Sequence, residues 1–426
     1  MRIYIEPDKK TWNELCRRPD AGAKEIEARV KQIIRDVKAG GDKAVKSISE
    51  EINGYPLEQI KVSKEEIATA ANMVPQDLKN AIETARSNIE IFTSAQMIGR
   101  IEVQTMPGVR CWQRSVPISK VGLYIPGGTA PLFSSVLMLA VPARIAGCGN
   151  ITMCTPRGKD GRIAPAILYA ASLCNVTDIY GIGGAQAIAA MAYGTRIVPK
   201  VDKIFGPGNR YVSKAKRMVS EDGVAVDMFA GPSEMLVIAD ENARPDFVAA
   251  DLLSQAEHGR DSQVCLICES KGFVEKVQEE LRIQQRRIPR QDIAEAALDE
   301  SLAVVIHDKR KMLDFANNYA PEHLVINTAD AWTMASSITA AGSVFIGPYS
   351  PESAGDYASG TNHTLPTAGT ANTSSGVSLD SFMHKITYQE LTRDGLQALS
   401  STIIDMAKAE GLVAHANAVE VRINKS

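Results

Sequence analysis

The spacing of apolar residues divides the chain into a helical beginning, two alternating α/β series and a helical end. In the first part, apolar residues recur at the spacing of an amphipathic helix at Ile26, Val30, Ile33, Ile34 and Val37. Gly40-Gly41 ends this pattern, and helical character with Glu and Lys at the exposed positions continues to about residue 100. We therefore predict an N-terminal helical segment over residues 1–120, whose later part packs on the domain that follows.

Between residues 121 and 230, short apolar runs alternate with alanine-rich helical segments. The runs have the length and composition of buried strands, and they cover residues 121–126, 151–155, 176–180 and 201–205. Strands that alternate with helices form parallel sheets, because a parallel connection needs a long crossover. The pattern predicts a Rossmann-like domain over residues 121–230.

A second series of the same kind follows the turn Gly231-Pro232. Its apolar runs cover residues 235–238, 264–268, 303–306, 324–326 and 343–346. Residues 348–378 then lose all periodicity, and an irregular stretch of this length inside a compact domain is more often functional than idle. We predict a second Rossmann-like domain over residues 231–380 and a helical tail over 381–426, with helices at about 388–409 and 413–421. The expected fold class is α/β, with two Rossmann-like parallel-sheet domains.

Composition and charge narrow the class of protein. The net charge of -3 and the lack of a long basic block argue against binding to nucleic acid or to an anionic membrane. The N-terminus has no apolar region typical of a secretory signal, and the longest apolar run, 136–141, is too short to cross a bilayer. Seven cysteines in such a chain indicate reduced thiols and a cytoplasmic protein. These features favour a globular enzyme of two or three domains.

The histidines are distributed unevenly, since all six fall in the last two-fifths of the chain, at His258, His307, His323, His363, His384 and His415. Four of them have a carboxylate or an amide close by in the sequence. Imidazole, carboxylate and amide oxygen together make a ligand set suited to zinc or a similar divalent ion. The distribution predicts a metal-centred reaction site in the second half of the chain.

Two residue pairs are the first candidates for this site. Gln255 and His258 stand three residues apart on a helix predicted over 245–258, so their side chains share a face. The alternative is a histidine that only interacts with the dipole at the end of the helix. Glu322 and His323 are adjacent, and such a pair can supply two proton-transfer groups of different pKa.

The remaining candidates lie where the pattern is irregular. Asp356 and His363 stand in the aperiodic stretch, where they either reach a metal or a ligand, or cap a turn and lie at the surface. Glu410 and His415 stand near the C-terminus. They either complete a site across a dimer interface or belong to a solvated helix end. The residues alone leave both choices open.

Glycine-rich turns follow three predicted strands of the first domain. They are Tyr124-Ile-Pro-Gly-Gly128, Gly181-Ile-Gly-Gly-Ala-Gln186 and Phe205-Gly-Pro-Gly-Asn209. Ligands bind at the carboxyl ends of parallel strands, so these turns indicate a nucleotide side, although turn chemistry alone also explains them. Gln186 replaces the third glycine of the dinucleotide fingerprint, and no acidic residue is placed to hold a ribose. The sequence therefore departs from the standard dinucleotide fingerprint.

Taken together, these segments resemble the histidinol dehydrogenase family in collinear order along nearly the whole chain. The matching stretches are Val121-Gly-Leu-Tyr-Ile-Pro-Gly-Gly128, Gly183-Gly-Ala-Gln-Ala-Ile188, Lys203-Ile-Phe-Gly-Pro-Gly-Asn209, Ala230-Gly-Pro-Ser-Glu234, Asp251-Leu-Leu-Ser-Gln-Ala-Glu-His258, Ala320-Pro-Glu-His323, Ser353-Ala-Gly-Asp-Tyr357, Gly360-Thr-Asn-His363 and Glu410-Gly411 with His415. Their length and order make the resemblance specific.

The resemblance implies a role for each candidate residue. It implies a homodimer with shared active sites and one zinc ion per subunit, held by Gln255, His258, Asp356 and, from the partner, His415. The implied catalytic pair is Glu322 and His323. The implied NAD contacts, in a family without the standard fingerprint, are Tyr124, Gln186 and Asn209. The implied substrate contacts are Ser233, Gln255, His258, His323, Asp356, His363, Glu410 and His415.

The implied reaction is the oxidation of L-histidinol through L-histidinal to L-histidine, the last step of histidine biosynthesis, with two NAD+ and one water. Alcohol oxidation needs a base for the hydroxyl proton, and His323, with an ordinary pKa of about 6.5, suits that role. Oxidation of the aldehyde needs an added water, which Glu322 can activate. The metal would serve mainly as a template for the substrate.

Two other functions fit parts of the same pattern. A related zinc-dependent dehydrogenase of another small polar alcohol, such as a dihydroxypropanesulfonate, would lose the groups that recognise an imidazole, whereas His363 and Glu410 are both present. A catalytically silent metal-binding protein would not need both Glu322 and His323. Both observations favour the oxidation of histidinol.

Overall fold

The computed structural model describes residues 1–18, 23–127, 131–228 and 231–424. Gly128 and Ala230, which end one quoted motif and begin another, lie outside the described residues, as do the last two residues of the predicted tail. Among the helices of the described ranges, none combines the length and the hydrophobicity that a membrane span needs.

Strands and helices alternate along most of the chain. The strands are β1 (Arg2–Ile5), β2 (Ile101–Met106), β3 (Val109–Pro117), β4 (Lys120–Tyr124), β5 (Asn150–Cys154), β6 (Asp178–Tyr180), β7 (Lys203–Phe205), β8 (Ala225–Val226), β9 (Glu234–Ala239), β10 (Gln263–Cys268), β11 (Leu302–Val305), β12 (His323–Asn327), β13 (Ser343–Ile346) and β14 (Met383–Leu391). The α-helices are α1 (Trp12–Leu15), α2 (Ala23–Asn53), α3 (Lys64–Met73), α4 (Gln76–Ala95), α5 (Phe133–Ala146), α6 (Pro165–Leu173), α7 (Gly184–Tyr193), α8 (Arg210–Glu221), α9 (Pro245–Ala256), α10 (Lys271–Gln285), α11 (Gln291–Asp299), α12 (Lys309–Tyr319), α13 (Ala331–Ala335), α14 (Glu352–Tyr357), α15 (Arg393–Ala409) and α16 (Val413–Ile423).

A five-stranded parallel sheet forms the core of the first α/β series. Its strands run in the order β6-β5-β4-β7-β8. Apolar layers cover both faces, with α3 to α6 on one side and α2, α7 and α8 on the other. The strand order reverses between β4 and β7, which is where doubly wound sheets bind ligands. The prediction of a Rossmann-like sheet in this part of the chain is confirmed.

A six-stranded parallel sheet forms the core of the second series, in the order β1-β11-β10-β9-β12-β13. Helices α9, α10 and α11 pack on one face, and α1, α12 and α13 pack on the other. Strand β1 comes from the N-terminus and completes the edge. The apolar pattern did not predict it, because its four residues are too few to establish a period and none of them is fully buried.

A small antiparallel sheet of order β14-β3-β2 pairs the start of the tail with residues 101–117. The tail was expected to be helical from about residue 388, but the chain up to Leu391 is still part of β14, which pairs with β3. The rings of Trp112 and Tyr388 stack across this pair with 5.3 Å between their centroids. Cross-strand pairing therefore outweighs the local helical pattern. Helix α15 begins only after Thr392, whose hydroxyl caps its first turn.

Two elements near the candidate site also differ from the sequence prediction. Helix α9 ends at Ala256 rather than at residue 258, so His258 lies in the turn that leads to β10. The stretch 348–378 is not wholly irregular, because it contains α14, which carries Asp356. Gly355 lets α14 lie against β13, since a Cβ at this position would stand only 2.6 Å from the ring of Phe345.

Candidate active site

The predicted metal and catalytic residues meet at the amino end of the six-stranded sheet. His323 is the first residue of β12, and Gln255 lies in the last turn of α9, which runs back along the sheet. Helix α14 packs on α9 and brings Asp356 to the same end. A cavity of about 480 Å³ lies there, and the predicted residues in its wall are Ser233, Gln255, His258, Glu322, His323, Asp356 and His363.

Several metal donors converge in this cavity. His258, Glu352 and Asp356 each offer a ligand atom, and these atoms lie within 4.8 Å of one another. Within the described residues, Oε1 of Gln255, Oε1 of Glu352 and Oδ1 of Asp356 are buried acceptors without a hydrogen-bond donor. Leaving such atoms unpaired is costly, and one cation between Glu352 and Asp356 would be a partner for their two carboxylate oxygens. A set of imidazole, carboxylate and amide oxygen therefore fits the zinc ion that the sequence predicts.

His258 stands at the open side of this donor group. Its ring is exposed to the cleft, yet the surrounding protein removes enough water to lower the pKa of the imidazole. The neutral form is the one that binds a metal. The residue is therefore suited to a ligand that enters from solvent.

His323 is buried among carboxylates. Its Nδ1 lies 3.7 Å from Oε2 of Glu322. Its Nε2 lies 3.5 Å from Oδ1 of Asp356 and 3.9 Å from Oε1 of Glu352. None of these contacts has hydrogen-bond geometry, so among the described residues both ring nitrogens lack a bonded partner. They are available to a substrate.

The two members of the predicted catalytic pair have shifted pKa values. Burial alone would lower the pKa of His323, but the surrounding carboxylates outweigh burial and raise it to about 10. Burial raises the pKa of Glu322 to about 8, although the neighbouring imidazolium opposes this shift. A carboxyl whose pKa lies near neutrality can both release and recover a proton.

Backbone geometry and a second carboxylate hold Glu322 in place. Ala320 directly follows α12, and its left-handed φ of 48° turns the chain toward β12. Oε2 of Glu322 accepts the backbone N–H of Glu234 at 2.9 Å. Arg18 forms a two-point ion pair with Glu234, with N–O distances of 2.6 and 3.0 Å, and stacks on Tyr319. Arg18 of the N-terminal segment thus holds Glu234, which in turn holds Glu322 of the predicted catalytic pair. No sequence pattern indicated this contact.

His363 links the two halves of the molecule. Its Nδ1 lies 3.0 Å from the backbone carbonyl of Asp356, and its Nε2 lies 3.1 Å from the hydroxyl of Ser135 in α5. A carbonyl oxygen can only accept, so Nδ1 carries the proton. Burial lowers the pKa of His363 and keeps the ring neutral, so Nε2 accepts the Ser135 hydroxyl proton. Sequence reasoning did not single out Ser135.

The predicted NAD contacts line a second cavity at the carboxyl ends of the five-stranded sheet. This cavity has a volume of about 1310 Å³, and its wall includes Tyr124, Gln186 and Asn209. The Tyr124 hydroxyl accepts the N–H of Gly184 at 3.0 Å. Asn209 also lines the smaller cavity, so the two cavities adjoin at this residue.

The turn that carries Asn209 depends on Gly206. This glycine has a φ of 119°, and a Cβ on it would overlap the carbonyl oxygen of Tyr124. The Lys216 amine donates to the carbonyl oxygen of Gly206 at 2.9 Å, while Asp227 accepts the Gly206 N–H at 2.7 Å. Lys216 and Asp227 also form an ion pair and are both buried. A buried polar cluster therefore holds the turn that places Asn209 between the two cavities.

Glu410 and His415 are not brought to the smaller cavity within one chain. Both lie exposed in the tail, outside the wall of that cavity and outside the group of metal donors. One chain therefore supplies three of the four predicted metal ligands. His307 contacts Glu6 at the surface, and His384 is exposed on β14.

The molecule has two parallel sheets, and a nucleotide-sized cleft lies beside a buried site of imidazole and carboxylate groups. This combination defines a metal-dependent NAD dehydrogenase. A family model described as histidinol dehydrogenase matches residues 16–423. The chain belongs to the histidinol dehydrogenase family.

Relatives and a solved structure support this assignment over the full length. Histidinol dehydrogenase of Bacteroides fragilis strain YCH46 is 53% identical over 425 residues, covering 100% of this chain and 99% of the relative. That of Escherichia coli strain K12 is 52% identical over 414 residues, covering 96% and 94%. The crystal structure of the Elizabethkingia anophelis histidinol dehydrogenase matches with a TM-score of 0.96 and 49% identity, covering 99% of this chain and 98% of that one.

The comparisons confirm several predictions made from the sequence. The family consists of NAD-dependent oxidoreductases that use Zn2+ and catalyse the last step of histidine biosynthesis. The expected fold, family, enzyme class and cofactors are therefore confirmed. A dehydrogenase of another alcohol and a silent metal-binding protein, the two alternatives, receive no support.

Proposed function

We propose that this chain oxidises L-histidinol to L-histidine in two NAD+-dependent steps within the cleft between its two sheets. The observation that carries the proposal is the adjacency of the two cavities. The smaller one holds the convergent metal donors with Glu322 and His323, and it meets the larger one at Asn209. A hydride donor in the first cavity can thus face an acceptor that extends from the second.

Gln255, His258 and Asp356 would hold the metal, with the partner's His415 as the fourth ligand. Bound there, Zn2+ would orient the imidazole and the amine of the substrate and offset the carboxylate charge around His323. Ser233 and His363 line the same cavity and would contact the substrate. Both ring nitrogens of His363 already have hydrogen-bond partners, so His363 would shape the substrate cavity and would not transfer a proton.

A bound cation would offset the carboxylates that raise the pKa of His323, so the imidazole would be neutral and would take the hydroxyl proton in the first oxidation. Its ring nitrogens have no hydrogen-bonded partner among the described residues, so one of them can face the alcohol. Loss of that proton lets hydride leave the carbon and yields the aldehyde. NAD+ supplies the hydride acceptor in each of the two oxidations.

Glu322 would serve the second oxidation. Water must add to the aldehyde before a second hydride can leave, and a carboxylate that removes a proton from this water favours the addition. The bond from the Glu234 N–H leaves one carboxyl oxygen of Glu322 to face the cavity. One residue would thus act in each half of the reaction.

Tyr124, Gln186 and Asn209 would contact the dinucleotide. Gln186 is buried, and its Oε1 has no hydrogen-bond partner within the described residues, so it can accept from a bound ligand. Tyr124 ends β4 and Asn209 follows β7, the two strands between which the strand order of the five-stranded sheet reverses, and Gln186 follows the edge strand β6. This placement supports NAD binding without the standard glycine fingerprint.

A homodimer would complete the site. Glu410 and His415 are exposed, and so are the apolar side chains of Met406, Leu412 and Val413 around them. They lie in the last turn of α15 and at the start of α16, and neighbouring exposed apolar side chains are typical of an interface. We propose that the tail, 381–426, reaches the partner's cleft, while 1–120, 121–230 and 231–380 form the rest of the subunit in a cytoplasmic enzyme.

One measurement tests this function. NADH formed per L-histidinol consumed should equal two equivalents, should vanish after treatment with a chelator and should return with Zn2+. A dihydroxypropanesulfonate serves as the control substrate and should give no NADH. Absence of turnover with L-histidinol in the zinc-loaded protein would refute the proposal.

A further inference from the structure

Glu352 lies beside the predicted metal ligands His258 and Asp356, and the sequence indicated no role for it. Its side chain is only 2% exposed. Oε2 accepts the hydroxyl of Ser254 at 2.9 Å, whereas Oε1 has no donor within the described residues. The same Oε1 lies 3.9 Å from Nε2 of His323. One oxygen of this carboxylate is therefore anchored, and the other is directed toward the reaction site.

The spacing on α14 places Glu352 beside a predicted metal ligand. Glu352 and Asp356 are four residues apart, so their side chains lie on one face of the helix. Two buried carboxylates so close together repel each other. A cation between them removes that repulsion. The pair is thus a costly arrangement for α14 alone and a favourable one around a dication.

Ser254 connects this carboxylate to the opposite helix. It stands one residue before Gln255 on α9, and its hydroxyl is the anchor of Glu352 on α14. The contact therefore ties the helix that carries Gln255 to the helix that carries Asp356. Two ligands from separate helices keep their separation only if the helices are fixed relative to each other.

The charge around the metal is a second, independent argument for a role of Glu352 in metal binding. Gln255 and His258 are neutral as ligands, so Asp356 alone leaves a bound dication with a net positive charge in a largely buried cavity. Burying a net charge is expensive. A second carboxylate a few ångströms away brings the group to neutrality. Glu352 is the carboxylate that joins His258 and Asp356 in the donor group.

We propose that Glu352 is a positioning residue of the metal site, which raises metal affinity by balancing the charge of the ion and by fixing α14 against α9. The inference rests on the proposed function only in using zinc as the cation. A residue that served the fold alone would change the stability of the metal-free protein and leave zinc affinity as it is.

The test is the zinc dissociation constant of the full-length protein, measured by competition with a chromophoric chelator. Glu352→Gln should bind zinc about 10- to 100-fold more weakly, as expected for loss of an outer carboxylate. Its metal-free form should unfold at a denaturant concentration no lower than that of the wild type. Ser254→Ala should also weaken zinc binding, but by less.

The matched control is Glu257→Gln, which removes a carboxylate adjacent in sequence to His258 but outside the donor group and the cavity wall. Its zinc affinity should equal that of the wild type. A Glu352→Gln affinity within twofold of the wild type would overturn the inference. If that variant does not fold, unchanged affinity in Ser254→Ala overturns the inference, and weakened affinity supports it. If wild-type protein fails to bind zinc, the proposed function fails instead.

Discussion

Nε2 of His363 lies 3.1 Å from the hydroxyl of Ser135, and this contact joins the second sheet domain to helix α5 of the first. The other ring nitrogen is committed to the carbonyl of Asp356. The ring is thus held at both ends by groups from two different parts of the chain. A wall of the proposed substrate site therefore depends on how the two domains meet.

Ser135→Ala should lower kcat/KM for L-histidinol by about 10- to 100-fold. The change leaves a buried imidazole nitrogen without a donor, which costs about 1–3 kcal/mol. Steady-state kinetics at saturating NAD+ measures the effect. The control is Ser134→Ala, which alters the neighbouring serine in the same cavity wall and should stay within twofold of the wild type. Equal losses in both variants would contradict the assigned role of the contact.

Glu322→Gln should impair the aldehyde step more than the alcohol step. Glutamine keeps the shape and can remain near the Glu234 N–H, but it cannot take a proton from water. Oxidation of L-histidinal should fall by about 100-fold or more, the usual contribution of a general base. Single-turnover NADH formation from histidinol and from histidinal separates the two steps. An equal loss in both steps would show that the roles of Glu322 and His323 are not divided as proposed.

Mixed dimers should recover activity if the site is shared between subunits. His415→Ala and Glu322→Ala should each inactivate the enzyme when present in every subunit. After dissociation and reassociation together, one of the two sites in a mixed dimer has both intact residues. We expect about a quarter of wild-type activity, because half of the dimers are mixed and each has one complete site. Activity no higher than that of either variant alone would argue against a site completed by the partner.

Removing one member of the Lys216–Asp227 ion pair should strongly lower the stability of the protein. Both side chains are almost fully buried, at 2% and 1% exposure, so Lys216→Met leaves an uncompensated carboxylate. The expected loss is about 3–5 kcal/mol of unfolding free energy. Because Asp227 also accepts the Gly206 N–H, Asp227→Asn should in addition raise KM for NAD+ by loosening the turn before Asn209. Urea denaturation and NAD+ titrations report these effects, and an unchanged KM would separate the pair from the cofactor site.

Asp251 should make the protein less stable at alkaline pH. Burial raises its pKa from an ordinary value of 3.8 to about 7 in the folded state. The folded protein therefore holds this proton more tightly than the unfolded chain, so stability is fully present below about pH 4 and declines as the pH rises through 7. Asp251→Asn should remove this decline and be more stable by about 1–2 kcal/mol at pH 8. Urea midpoints with and without the substitution, measured in chelator, test the sign. A decline that persists in the variant assigns the effect to another group.

Much of the candidate site could be predicted because its residues stand in short motifs. Glu322 and His323 are adjacent, and Gln255 and His258 are close neighbours, so local sequence sufficed to mark them. Glu352 was missed because residues 348–378 read as irregular, although the spacing of four to Asp356 was present. Arg18 and Ser135 gave no local signal, since each acts on a residue more than 200 positions away.

The rule for ligand sites in parallel sheets held for only one of the two domains. Tyr124 is the last residue of β4 and Asn209 follows β7, so both lie at the carboxyl ends of their strands, as the glycine-rich turns predicted. His323 instead begins β12, at the amino end of its sheet. The two domains thus present opposite ends of their strands to one cleft. This depends on how the sheets are oriented relative to each other, which no pattern within either sheet specifies.

Local sequence patterns were enough to predict the alternation of strands and helices, the two parallel sheets and most of the residues that meet in the candidate site. These properties depend on residues near each other in the chain, whose periodicity and turn chemistry act locally. Only the tertiary structure decided that β14 is a strand, that Arg18 supports Glu322 and that Glu352 joins the metal donors. Each of these rests on pairing or burial between distant segments, where the gain from packing exceeds the small local preference. In the proposed dimer, the exposed tail with Glu410 and His415 would follow the same physics, because its contacts would lie on a second chain.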